Sequence, residues 1–268
     1  HFFIFLVLFV ILGNGFLKAD EESTKAFADD RPNIIFFLTD DQRNDFLGCT
    51  GHPIVKTPNI DKLAGEGRLF DNAFVSTSIC AASRATLLTG LYERTHRFTF
   101  GTPPIANIHT NQSYPALLKK EGYLTGFIGK FGIRVRKGAR DTMFDSFVPL
   151  NRSPYFHKQK DGSLRHETQV AADRAIDFLA RAKKQSEPFC LSVSFNASHA
   201  EDGDKKNHFP YPKVVGSLYE GVKMPVPRLS DPKVFESQPE FLRKSMNRDR
   251  YFWRWDTEEK YQNNMRNY

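Results

Sequence analysis

Cys80 is followed by two alanines, Ser83 and Arg84, and the segment closes on Leu87-Leu88-Thr89-Gly90. A thiol in that setting could be a buried filler, half of a disulfide, a metal ligand or a nucleophile. A second group of interest is Asp40-Asp41, which follows the unbroken apolar run Ile34–Leu38. Adjacent carboxylates at a strand end are costly unless a cation or several hydrogen bonds compensate them. They suit a hard divalent ion held through oxygen, Ca²⁺ or Mg²⁺. Alone, the dipeptide reads more readily as a turn plus a helix cap. Calcium takes about six to eight oxygens, so these two residues would form only part of a site. Lys130 and His199 add a cation and an imidazole. In isolation Arg84 and Lys130 would be solvated charges and His199 a turn residue; His52 and His96 read as structural.

The elements that must position these groups are legible from periodicity. Ile34–Leu38 is a short continuous apolar run, the pattern of a strand buried on both faces in a parallel sheet. In "TPNIDKLAGEG", Thr57 can cap a helix, Pro58 suits its first position, and Gly65 and Gly67 end it. Ser83–Leu91 reads as a short helix with Arg84 in its first turn. "YPALLKKEGYLTGFIGK" gives a helix, a stop at Gly122 and a strand over Tyr123–Ile128. "HETQVAADRAIDFLARAKK" is an amphipathic helix with Ala171, Ala175, Phe178 and Ala182 on one stripe. "FCLSVSFNA" is a further strand. Alternating strands and helices predict an α/β fold, a largely parallel central sheet flanked by helices. In such sheets chemistry collects beyond the strands' carboxyl ends, and Asp40, Asp41, Lys130 and His199 all fall there. Residues 207–239 are Pro-rich and irregular. In the tail, arginines interleave with Tyr251, Trp253 and Trp255. That mixture can stack nucleic acid bases, but a helix packing its aromatics inward is the preferred reading, and no nucleic acid partner is expected.

At 268 residues the chain can bury one substantial core. A net charge of +7 favours anionic partners such as sulfated or phosphorylated sugars, nucleic acid or acidic membranes. Phe2–Leu12 is an apolar run too short to span a bilayer, which takes roughly 20 residues. It has the length of a signal-peptide core, with cleavage after Ala19, so residues 1–19 are expected to be an export signal whose start is missing. A buried first strand or helix is the alternative. No stable membrane span is expected, and the protein is expected in a periplasmic, secreted or lysosome-like compartment. The three cysteines, Cys49, Cys80 and Cys190, leave at least one unpaired within the chain; Cys49 and Cys190 could pair.

"CAASRATLLTG" resembles the signature of the type I, formylglycine-dependent sulfatases of the alkaline phosphatase superfamily: Cys, any residue, Pro or Ala, Ser, Arg, then Leu-Thr-Gly. "PNIIFFLTDDQ", "TPNIDKLAGEG", "YLTGFIGK" and "SFNASH" resemble family blocks in family order, and the likeness runs over residues 31–268, after a polar linker at 20–30. The resemblance implies that Cys80 is oxidised by a formylglycine-generating enzyme to an aldehyde. One hydroxyl of its hydrate attacks sulfur, and the other helps expel sulfate. It further implies Ca²⁺, with Mg²⁺ the lesser candidate, held by Asp40, Asp41 and the oxygen of residue 80. Arg84 would hold the hydrated aldehyde, Lys130 would contact nucleophile and sulfate, and His199 would contact sulfate near the ester oxygen. The substrate would be a sulfated small molecule or glycan.

Two departures stand out. The family follows its Gly-Lys with one residue and then a catalytic His; here the stretch is "GKFGIRV", with Gly132 in that place. General acid–base assistance is worth on the order of 10²–10⁴-fold. Family members also run on to a distal metal-ligand pair, a later lysine and a smaller C-terminal domain. The chain is therefore expected to be the N-terminal part of a longer catalytic domain. Competing readings are a formylglycine-dependent phosphodiesterase or phosphonate hydrolase and a noncatalytic relative. A cysteine hydrolase using Cys80 with His199 is more distant, since it leaves the Asp pair and the Ser-Arg spacing unexplained.

Overall fold

The computed structural model describes residues 8–12 and 30–268; of residues 1–19, expected to be an export signal, only Leu8–Leu12 are described, as a strand, and nearly all of the linker at 20–30 lies outside. Strands among the described residues are β1 (Leu8–Leu12), β2 (Asn33–Leu38), β3 (Leu124–Gly129), β4 (Ser146–Pro149), β5 (Phe156–Lys158), β6 (Leu164–His166) and β7 (Phe189–Ser194). The chain divides into two compact units, residues 1–152 with 167–197 and residues 153–166 with 198–268.

The first unit is built on a five-stranded sheet in the order β1-β2-β7-β3-β4. β2, β7, β3 and β4 are parallel, and β1 pairs antiparallel with β2. This is the expected α/β arrangement. β7, though last of these in sequence, is the central strand, and every one of its six residues is buried. Its two faces differ: Leu191 and Val193 pack with Ile35, Ile128, Ala171, Phe178 and Ala182. Ala171, Phe178 and Ala182 belong to the helix Glu167–Ala182, whose apolar stripe is the one the sequence predicts. A second cluster joins Ala81, Ala85 and Leu88 of the helix Cys80–Thr89 to Phe127, Phe131, Ile133 and Phe144. Each large apolar side chain so buried contributes roughly 1.5–3 kcal/mol.

Register decides what emerges at the sheet's carboxyl edge. Leu38, Ser194 and Gly129 lie in one row across β2, β7 and β3. The next residue of each strand, Thr39, Phe195 and Lys130, therefore leaves the sheet at the same level. Gly129 has φ +101°, and a Cβ there would sit 1.9 Å from the Ser194 carbonyl oxygen. Backbone meets backbone at that point, so only glycine fits.

Several local expectations are corrected. The helix expected over Ser83–Leu91 begins at Cys80, because the Ser83 N–H already closes a turn on the Ile79 carbonyl at 2.9 Å. Arg84 accordingly sits one turn into the helix. Thr57 precedes the helix Pro58–Glu66 without a side-chain cap bond. Its hydroxyl donates to Asp61 Oδ1 at 2.7 Å and accepts from the Gly48 N–H at 2.9 Å instead. Gly65 lies inside that helix, and Gly67 ends it. Cys49, Cys80 and Cys190 are all free thiols, so Cys49 and Cys190 are not paired.

The second unit holds the hairpin β5–β6 and two tail helices, Met246–Arg254 and Glu258–Asn267. The inward packing expected of the tail aromatics is only partly realised. Tyr251 and Phe252 are exposed, while Arg254 is the buried residue, paired with Asp202. Trp255 packs on Phe209. Among the described residues no helix is long and apolar enough to cross a membrane.

Two stability outcomes are expected. Gly129→Ala should lower the unfolding free energy by about 3 kcal/mol or more, read by urea denaturation, because neither backbone can move away without breaking the β3–β7 ladder. The second concerns Cys190, whose thiol burial pushes up to about 12. An unfolded-chain thiol ionises at about 8.5. The unfolded state therefore loses its proton first, and the stability Cys190 confers falls as pH rises above that value. The unfolding free-energy difference between wild type and Cys190→Ala should shrink between about pH 8 and 10, by up to roughly 1.4 kcal/mol per unit.

Candidate active site

Asp40 anchors the carboxyl edge of the sheet. Its side chain is completely buried, and its N–H donates to the Ala197 carbonyl at 3.1 Å, tying the end of β2 to the segment after β7. Oδ2 accepts from Lys130 Nζ and lies 3.5 Å from an Arg84 guanidinium nitrogen, Nη2. Oδ1 is buried with no hydrogen-bond partner among the described residues. A half-satisfied buried carboxylate beside two cations is a high-cost arrangement that a ligand or ion would complete. Asp41 follows with φ 55°, a left-handed conformation that Asp adopts more readily than most residues.

Arg84 comes from the helix Cys80–Thr89 and is 4% exposed. Its Nη1 donates to the Lys130 carbonyl at 2.7 Å and to Ser194 Oγ. Nε and Nη2 have no hydrogen-bond acceptor among the described residues. Burial pushes the guanidinium pKa down, opposed by the charges of Asp40, Cys80 and Asp41. Ala81, Ala82 and Ala85 are fully buried, so the small residues around the cysteine let the helix seat closely. Cys80 is the first residue of that helix, half-buried and free. Helix N-termini carry partial positive charge and favour anions.

Asp40, Arg84 and Lys130 are thus brought together, with Cys80 one helical turn before Arg84. His199 belongs to the second unit. There its Nδ1 lies 2.7 Å from the Ala200 carbonyl, and its own carbonyl accepts from the Tyr155 hydroxyl at 2.6 Å. His96 is buried, with Nδ1 accepting from the Phe98 N–H at 3.0 Å and Nε2 3.1 Å from Thr86 Oγ1; burial pushes its pKa down. His52 Nδ1 accepts from the N–H groups of Ile54 and Val55. Both imidazoles are engaged in holding local chain, as the sequence reading has them.

Sequence reasoning missed the polar face of β7. Ser194 meets Arg84, and Ser192 lies 2.6 Å from the Tyr114 hydroxyl. A cavity of about 30 Å³ beside them is lined by Arg84, Lys130, Tyr114, Ser192 and Ser194 among others. That is room for one or two waters. The signal was available: in "FCLSVS" small polar residues alternate with Leu and Val inside a continuous strand.

For a divalent cation, the orphaned Oδ1 of Asp40 and the all-oxygen chemistry of the Asp pair fit. Among the described residues no group of three or more His, Cys, Asp or Glu side chains is placed to hold a metal, so Asp40 and Asp41 would need further ligands.

An α/β fold with a buried carboxylate, two cations and a helix N-terminus at its carboxyl edge presents a site suited to an anionic group. The chain belongs to the sulfatase family, whose model matches residues 32–264. It is 31% identical over 192 residues to an N-acetylglucosamine-6-O-sulfatase of Bacteroides thetaiotaomicron, covering 69% of this chain and 33% of the relative. Its fold resembles a solved structure described as a complex with its substrate D-glucosamine-2-N,6-O-disulfate, with TM-score 0.64 and 24% identity over 89% of this chain and 58% of the other. It also resembles the phosphonate monoester hydrolase of Agrobacterium radiobacter, with TM-score 0.52 and 25% identity over 70% of this chain and 44% of the other. The chain spans about a third to a half of the length of the curated relatives it matches.

Asp40→Asn should leave Lys130 and Arg84 without a countercharge in a buried setting. A stability loss of about 3 kcal/mol is expected, read by urea denaturation; an unchanged or raised stability would mean that Asp40 is a site of stored electrostatic strain instead.

Proposed function

We propose that the protein carrying this chain hydrolyses sulfate esters, with residue 80 as the nucleophile. The observation that supports this best is the seating of Arg84, one turn after Cys80, against Asp40 and Lys130 at one sheet edge. Formylglycine at residue 80, with Arg84 one turn further along the helix, would supply a hydrated aldehyde, one hydroxyl as the nucleophile toward sulfur and the other to allow sulfate to leave. Asp40 and Asp41, with the oxygen of residue 80, would hold Ca²⁺, which supplies charge to acidify the nucleophile and offset the sulfate oxygens. Arg84 orients residue 80 and contributes positive charge where negative charge develops. Lys130 pairs with Asp40 and offers its ammonium to nucleophile and sulfate. His199 is assigned a contact to sulfate and to the departing alcohol's oxygen.

A sulfated glycan is the proposed substrate class, in keeping with the net charge of +7 and with a relative named for N-acetylglucosamine-6-O-sulfate. Maturation would need a formylglycine-generating enzyme, and export is proposed from the apolar opening. A second reading, hydrolysis of phosphonate or phosphate esters, is favoured by the likeness to the phosphonate monoester hydrolase.

The test is mass spectrometry of the tryptic peptide Leu69–Arg84 from protein made in its native host, paired with assays on aryl sulfate, phosphate diester and phosphonate. Formylglycine at residue 80 with preference for sulfate is the expected result. Formylglycine with preference for phosphorus esters supports the second reading. Unmodified Cys80 without turnover removes both and leaves a noncatalytic relative.

A further inference from the structure

The family's usual histidine is absent at residue 132, and what fills that place is visible here. Gly132 has φ +67°, and a Cβ built on it would lie 2.9 Å from Arg84 Cδ, 3.5 Å from Arg84 Nε and 3.7 Å from Lys130 Cε. The Arg84 side chain therefore runs directly over the Gly132 α-carbon. Its far end cannot swing aside freely, because Nη1 donates to both the Lys130 carbonyl and the Ser194 hydroxyl. Ser194 is itself 2% exposed, the last residue of the central strand β7, and locked in register with Leu38 and Gly129.

Resting on the sulfate-ester reading above, we propose that Ser194 and Gly132 are positioning residues that act through Arg84: the hydroxyl holds the guanidinium, and the missing side chain gives it its path. The bare position at 132 is then a fitted part of this site rather than a lost catalytic group. Restoring the histidine should harm the site, because the imidazole would enter the space the Arg84 chain occupies, at a backbone conformation side chains rarely adopt. Removing the Ser194 hydroxyl deletes a hydrogen bond to a charged group. Such bonds matter more than neutral ones and cost more when a buried donor is left unmade.

The experiment compares Ser194→Ala, Ser194→Thr, Gly132→His and a control, Ser192→Ala, which removes the neighbouring hydroxyl on the same strand face but one bonded to Tyr114. Two readouts are taken on the full chain made in its native host. The first is the Arg84 guanidinium NMR signal, assigned by its loss in Arg84→Lys, which needs no turnover. The second is kcat and KM on the best ester substrate, with thermal melting to detect unfolding. The expected result is a restricted Arg84 signal in wild type, retained in Ser194→Thr and Ser192→Ala and averaged in Ser194→Ala and Gly132→His. With it, kcat should fall between about 10- and 100-fold in the last two at little change in KM. A rise in kcat for Gly132→His overturns the proposal, as does an Arg84 signal indifferent to Ser194 or equal effects from Ser192→Ala and Ser194→Ala. If wild type lacks formylglycine and turnover, the functional reading fails by itself, while the NMR arm still decides whether Ser194 and Gly132 hold Arg84.

Discussion

A carboxylate carried into the interior must be met by positive charge. Desolvation of the ion costs several kcal/mol, and its attraction to a partner repays this only in good geometry with the remaining lone pairs used. Asp40 is buried completely at the end of β2, and the chain meets that demand from two directions: Lys130 from the end of β3 and Arg84 from the helix that begins at Cys80. Neither cation is local to Asp40 in sequence. The sheet register must be right for Lys130 to arrive, and the helix must seat closely for Arg84 to reach. Folding of the first unit and assembly of its site are in this sense one event.

β7 makes that seating possible. Its Leu191 and Val193 belong to the apolar core, while Ser192 and Ser194 present hydroxyls on the other face. A strand buried on both sides normally reads as a continuous Val, Ile and Leu run. Two serines inside such a run lose hydration and must be hydrogen-bonded, which they are, to Tyr114 and Arg84. Burial accordingly pushes the Tyr114 phenol well above its ordinary pKa. The polar cost is accepted where a charged side chain must be held still, a common bargain at functional sites.

Much of this was legible beforehand because it is written in short-range pattern. The apolar run at Ile34–Leu38, the stripe of Ala171, Phe178 and Ala182, and the small residues around Cys80 each announce their element through periodicity. Boundaries were less legible. The helix start at Cys80 is fixed by a backbone hydrogen bond to Ile79, not by a capping residue. Thr57 looks like a cap but spends its hydroxyl on Asp61 and Gly48. The tail aromatics suggested an inward face, yet the second unit buries Arg254 instead, because Asp202, far away in sequence, is there to pair with it.

By itself the sequence determined the α/β class, the family signature around Cys80 and the identity of the charged groups at the strand ends, since these depend on residue type and local spacing. Only the tertiary structure decided that β7 lies between β2 and β3, that Asp40 is shared by two cations, and that Ser194 and Gly132 shape the path of Arg84. Those facts depend on which strand ends meet at one level and on the space a missing Cβ leaves. Contacts between residues about fifty to more than a hundred positions apart, such as Arg84 with Lys130 and Ser194, follow from register and packing rather than from any neighbouring letter.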